Sequence, residues 1–189
     1  MEKTTIRKRK EVLSAIIAQY QLPLRGTHGV AHWARVLEQG IRLAHASGVD
    51  ERIVEVFALL HDVAREHEDE CSRHGPRATK FFAKHRDLFP FNPSDWYALV
   101  AAMADHTGGK HADDPRIAVC WDADRLDFWR IGIMPDPAYM TTAIAKRIAS
   151  SKSFQQECAE RFNQREDQTL PAWVSARWPE LAAAWESEA

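Results

Sequence analysis

The chain is poor in cysteine, in long apolar runs and in net charge, and each shortage removes a class of function. Cys71, Cys120 and Cys158 are odd in number and far apart. They suit neither a disulfide scaffold nor a thiolate zinc site, so a reduced, cytoplasmic setting is expected. No cationic, apolar leader precedes the first expected helix, and no apolar stretch approaches the about 20 residues that a membrane span needs. No membrane partner is therefore expected. A formal charge of -2 gives no global field to attract nucleic acid, and no nucleic-acid partner is expected either. The glycines form no Gly-rich phosphate loop. There is no internal repeat and no alternating strand pattern, which leaves an essentially all-α chain.

What is present is helical periodicity around one unusual stretch. Val54-Glu55-Val56-Phe57-Ala58-Leu59-Leu60 is apolar at nearly every position and runs straight into His61-Asp62. A helix with that pattern is buried on most sides, yet it ends in two ionisable groups. Burying an imidazole and a carboxylate costs several kcal/mol, roughly, unless they are paired or bound to a cation. With 189 residues, 45% of them hydrophobic, the chain has the size and apolar content of one domain spanning 1–189.

The remaining helices are expected around that stretch. Thr4 to Tyr20 begins basic, with Lys8, Arg9 and Lys10 as a solvated face, and buries Val12, Leu13, Ile16 and Ile17. After Pro23 and Gly26 a second helix is expected from about Thr27 to Ala46, with His28, His32 and Arg35 along one edge. Arg35 is read mainly as a tie to a neighbouring carboxylate or carbonyl. An acidic loop from Glu66 to Cys71 leads to a helix from Pro76 to His85, with His74-Gly75 at its entrance. Ser94 is placed to cap a helix that ends at Asp105-His106. Asp114-Pro115 starts another, through Asp122, Asp124 and Asp127, and Asp136-Pro137 repeats the device. From Ala138 onward, further amphipathic helix offers Trp173, Trp178, Leu181 and Trp185 for packing. His45, His67, His85 and His111 are expected to be solvated.

Four places could combine: His32 in His-x-x-Arg-Val, His61-Asp62, His106 after an apolar helix, and Asp124 in Asp122-Ala123-Asp124-Arg125-Leu126-Asp127. Two imidazoles and two carboxylates make a hard, mixed N/O ligand set suited to Mn²⁺, Fe²⁺, Mg²⁺, Co²⁺ or Ni²⁺. Four protein ligands on an octahedral ion leave room for water and a substrate oxygen. The bland alternative is a hydrogen-bonded core pair at His61-Asp62 with His32 at the surface.

In that order, His32, then His61-Asp62, then Asp124 closely resemble the HD-domain metal-dependent phosphohydrolase superfamily, over about residues 27–128. The resemblance implies an HD-domain-like helical bundle with additional C-terminal helices. It implies one divalent cation held by His32, His61, Asp62 and Asp124, where Asp124 is preferred to Asp122 because Arg125-Leu126 follows it. It also implies hydrolysis of a phosphoester or phosphoanhydride of a nucleotide or other small phosphorylated metabolite, with His61, Asp62 and His74 at the catalytic centre. Some members use further His, so His74 and His106 are either ligands of a second ion bridged by Asp62 or contacts to phosphate, and the second role is expected for His74. Arg65, Arg77, Arg125 and His28 are candidates to bind phosphate. For Arg65 and Arg125 the alternative is pairing with the Glu66 to Glu70 loop. Two other functions stay open: an HD-type diiron oxygenase, and a noncatalytic regulatory or ligand-binding domain.

Overall fold

The structure, a computed structural model, describes residues 2–188, with side chains described from Arg9 onward. Among those residues there is no strand. The side chain of Lys8 lies outside the described set; Arg9 and Lys10 are exposed. No helix is long and apolar enough to cross a membrane among the described residues.

Four helices form the centre: α2 (Val30–Ser47), α3 (Glu51–Leu60), α5 (Pro93–Asp105) and α6 (Pro115–Arg125). α2 packs on α3 and α6, and α5 packs on both of those as well. Gly40 lets α2 come close, since a Cβ there would run into Val54 and touch Ala123 at 3.5 Å. Trp33, Leu37, Phe57, Leu60, Leu99 and Met103 are fully buried between these helices. Burial of each such side chain stabilises the fold by about 1.5–3 kcal/mol relative to exposure. α4 (His74–Lys84) lies against α5, and α1 (Glu2–Gln19) lies against the last helix, α10 (Pro179–Ser187). α7 (Ala143–Ala149), α8 (Lys152–Asn163) and α9 (Val174–Arg177) complete the described chain. In the tail, Trp178 and Leu181 are fully buried, whereas Trp173 and Trp185 are half-buried.

Capping explains most boundaries. Asp50 accepts from the backbone N–H of Arg52 to start α3, and Asp114 does the same from Arg116 to start α6. Three expectations are corrected. α5 starts one residue before Ser94 and is capped by Asn92, whose Oδ1 accepts from Asp95 N at 2.9 Å. Asp136-Pro137 starts only a single 3₁₀ turn, Pro137–Tyr139. α2 starts at Val30 rather than near Thr27, because the chain first makes a compact turn: Gly26 N donates to Pro23 O, Gly29 N to Gly26 O, and Val30 N to Leu24 O. His28 therefore sits in that turn and not on the helix edge of His32 and Arg35.

α4 begins two residues earlier than expected, which makes His74 its first residue. Gly75 is what permits this. A Cβ there would collide with the carbonyl of Met103 and lie 2.7 Å from that of Ala104. The close backbone approach brings the start of α4 against the end of α5, and so brings His74 to His106.

Candidate metal centre

Four helix ends deliver His32, His61-Asp62, His106 and Asp124. His32 comes from the first turn of α2, His61 caps α3 with Asp62 next to it, His106 caps α5, and Asp124 lies in the last turn of α6. Phe57, one turn before His61, stacks on its ring at 4.9 Å with planes 17° apart. His32 and His61 are 0% exposed, Asp62 2% and His74 1%.

The tautomers follow from the partners. His32 Nδ1 is 2.8 Å from Asp127 Oδ2, and His61 Nδ1 is 3.0 Å from the carbonyl of Phe57. A carboxylate and a carbonyl can only accept, so both Nδ1 atoms carry the proton and donate. In the neutral rings both Nε2 atoms are bare, yet they lie 3.1 Å apart. The arrangement repeats. His74 Nδ1 donates to the carbonyl of Cys71, and His106 Nδ1 to that of Met103 at 2.8 Å, while their Nε2 atoms are 2.7 Å apart. Two bare nitrogens at such distances repel unless a proton or a metal cation lies between them.

Asp62 stands between the pairs. Its Oδ2 is 3.4 Å from His61 Nε2 and 3.7 Å from His32 Nε2, and its Oδ1 is 3.0 Å from His74 Nε2 and 3.8 Å from His106 Nε2. Oδ1 is buried and accepts no hydrogen bond despite the nearby His74 nitrogen. An orphaned carboxylate oxygen in a set of bare imidazoles is what a cation site looks like without its ion. Among the described residues, two groups have ligand atoms close enough together to hold an ion: His32, His61 and Asp62, and Asp62, His74 and His106. Asp124 adds to the first, with Oδ1 3.4 Å from His32 Nε2 and 3.9 Å from His61 Nε2. The hard N/O donor set fits a divalent transition metal.

Electrostatics shows the same demand for positive charge at the Nε2 atoms: against burial, Asp62 and Asp124 raise the pKa of His61, so without a metal ion a proton is favoured there. Burial alone would push Asp124 up, but positive charge on His32 and His61 holds it far below the usual carboxylate range. Asp62 is also held well below that range, against burial, chiefly by His61. Burial and the neighbouring His61 push His106 down to about 4, so its Nε2 stays unprotonated at neutral pH.

The two aspartates of the last motif part company. Asp124 faces the cluster, whereas Asp122 accepts from Thr141 N at 2.8 Å and Thr142 N at 2.7 Å. Asp127 and Arg130, given no role by sequence, support the site together with Arg35. Asp127 binds His32 through Oδ2 and takes Arg35 Nε at 2.7 Å on Oδ1. Arg35 also donates to the carbonyl of Asp167, so it is the expected tie to both a carboxylate and a carbonyl. Arg130 Nη1 is 4.0 Å from Asp124 Oδ1 and 3.8 Å from Asp127 Oδ2. The signal for Asp127 was present in the sequence as an acid three residues after Asp124; it lies in the turn after α6, where its N–H donates to the carbonyl of Asp124 at 3.0 Å.

Of the expected phosphate contacts, Arg125 and His28 need correction, while Arg65 and Arg77 brace a loop and still line an open cleft. Arg125 donates to the carbonyls of Lys110 (2.9 Å), Tyr139 (2.8 Å) and Gly109, so it staples two loops instead of facing the cluster. His28 Nδ1 is 2.6 Å from Glu68 Oε2, and burial pushes its pKa down despite that partner. Arg65 donates to the carbonyls of His67 and Asp69, with Nη1 3.6 Å from Asp62 Oδ1. Arg77 donates to the carbonyl of Ala64 and lies 3.2 Å from Glu66 Oε2. Together these contacts fold the acidic loop against the turn that carries His28. His74, with its Nδ1 proton given to the carbonyl of Cys71, turns Nε2 to His106 and Asp62 and offers a ligand atom beside theirs.

No family model and no curated protein matches the sequence. The chain is similar in structure to a predicted HD superfamily hydrolase from an uncultured Thermotogales bacterium, known from a 1.45 Å crystal structure. The TM-score is 0.61 and the identity 23%, over 83% of this chain and 92% of that one. The fold is therefore an HD-domain-like helical bundle, and it carries a His/Asp cluster with the donors to bind metal.

Proposed function

We propose that the chain is a metal-dependent phosphohydrolase of the HD superfamily. Its substrate would be a phosphoester or phosphoanhydride of a nucleotide or other small phosphorylated metabolite. The observation that carries this reading is Asp62, which turns one oxygen to each of two pairs of bare imidazole nitrogens. In this reading His32, His61, Asp62 and Asp124 would hold one divalent ion, and Asp62, His74 and His106 would hold a second. When bound, such ions make a water more acidic and neutralise charge on a phosphoryl group. The chain's own part is orientation. Asp127, fixed by Arg35, keeps the His32 proton on Nδ1, and three backbone carbonyls do the same for His61, His74 and His106. Arg65 and Arg130 place positive charge beside Asp62 and Asp124.

The test is metal analysis of the purified protein, followed by a phosphate-release screen over nucleotides and sugar phosphates with Mn²⁺, Mg²⁺, Co²⁺ and Ni²⁺. Metal-dependent release abolished in Asp62→Ala is expected. Bound metal with no release from any substrate would count against hydrolysis.

The His74–His106 pair also favours a second reading, an HD-type diiron oxygenase, because that chemistry uses two further His ligands on the same scaffold. Iron as the purified metal, with oxygen uptake that depends on substrate, would select it. A noncatalytic binding domain would retain no reason for a complete double ligand set.

A further inference from the structure

Beside the buried cluster the surface opens into a cleft of about 320 Å³. Its lining carries Arg65, Arg77, Lys80 and Lys84 against one carboxylate, Glu66. In a chain of net charge -2 this is a local concentration of positive charge. Arg65 connects cleft and cluster, since it lines the first and its Nη1 is 3.6 Å from Asp62 Oδ1 in the second.

Arg77, Lys80 and Lys84 are spaced three and four apart on α4, so they form one stripe down one face. Like charges at that spacing disfavour the helix that carries them, so the stripe is not explained by the stability of α4. Glu66 lies 3.2 Å from Arg77. Lys80 and Lys84 are exposed and have no carboxylate partner among the described residues. Gln19 and Gln21 add amide groups to the lining. Between them in sequence, Tyr20 buries a hydroxyl that has no hydrogen-bond partner among the described residues, with Asp62 and Glu68 near enough to help burial raise its pKa.

We propose that this cleft takes a second phosphate group of the same small molecule whose reacting phosphoryl group is held at the metal centre. This rests on the hydrolase reading and narrows it. A sugar monophosphate has no second anion to offer the lysines once its phosphate is at the metal centre, whereas a diphosphate, a polyphosphate or a bisphosphate presents a further anion to them. Lysine suits the task as a mobile point charge on a surface wall.

The test uses the full chain with Mn²⁺ and two probes, orthophosphate and imidodiphosphate, the second chosen because it resists hydrolysis. Calorimetry compares the wild type with Lys80→Gln/Lys84→Gln and Lys80→Arg/Lys84→Arg; both positions are exposed, so folding should be unaffected. The double Gln variant is expected to lose on the order of tenfold in imidodiphosphate affinity, with orthophosphate affinity and metal content unchanged, while the double Arg variant keeps it. Equal imidodiphosphate affinity in wild type and the double Gln variant overturns the cleft. Metal content and phosphate release in the nucleotide and sugar phosphate screen are read on separate aliquots of the same preparations, and their absence from the wild type overturns the hydrolase reading instead.

Discussion

The two histidine pairs around Asp62 have the same internal geometry and different support. His32 and His61 are joined by a second carboxylate, Asp124, and His32 is backed by the buried Asp127–Arg35 pair. His74 and His106 have only the shared Asp62, and both are backed by backbone carbonyls. More negative charge and a carboxylate behind an imidazole both strengthen cation binding. The first pair should therefore hold its ion more tightly than the second. One carboxylate serving both makes the sites interdependent.

The largest expected effect removes the element common to both. Asp62→Ala should strip metal from each pair and lower turnover by roughly a thousandfold or more, because the ions stabilise reacting charge by several kcal/mol. Elemental analysis and phosphate release on one preparation check it, and wild-type turnover at saturating metal would place the chemistry elsewhere.

Asp127→Asn separates the pairs from the other side. It weakens the support of His32 without touching His74 or His106, so affinity for the first ion should fall by about 10–100-fold while the second is unaffected. A fall shared equally by both ions would show that Asp127 acts on the whole bundle.

Asp127 also sets a smaller effect on stability. Against burial, Arg35 and His32 hold its pKa down at about 2. The folded value lies below the unfolded one of about 3.9, so the stabilisation is present above pH 4 and is lost as pH falls toward 2. At about 1.4 kcal/mol per unit, the metal-free wild type should lose about 2–3 kcal/mol of its advantage over Asp127→Asn between pH 5 and pH 2. Urea unfolding at the two pH values measures this, and a constant difference would mean that Asp127 is not held low by its partners.

The sequence made the first pair legible and left much of the second obscure, for physical reasons. An apolar helix that ends in His61-Asp62 announces a buried polar centre, and a further acid, Asp127, stands three residues after Asp124. The second pair depends on Gly75, whose close approach to Met103 and Ala104 brings two helix ends together. No periodicity encodes that contact. His28 was misplaced because the hydrogen-bonded turn from Pro23 to Val30 delays the helix. Arg125 was misread for a more general reason: next to an anionic motif, a guanidinium serves loop carbonyls as readily as phosphate, and only the backbone path decides between them.

The most direct test of the central claim, two unequal cation sites sharing Asp62, is a titration of metal-free protein with Mn²⁺ in the wild type and in His106→Ala. The wild type is expected to bind two ions per chain in separate phases, and His106→Ala to keep the tighter phase and lose the weaker. A single ion per wild-type chain, bound unchanged by His106→Ala, would contradict it.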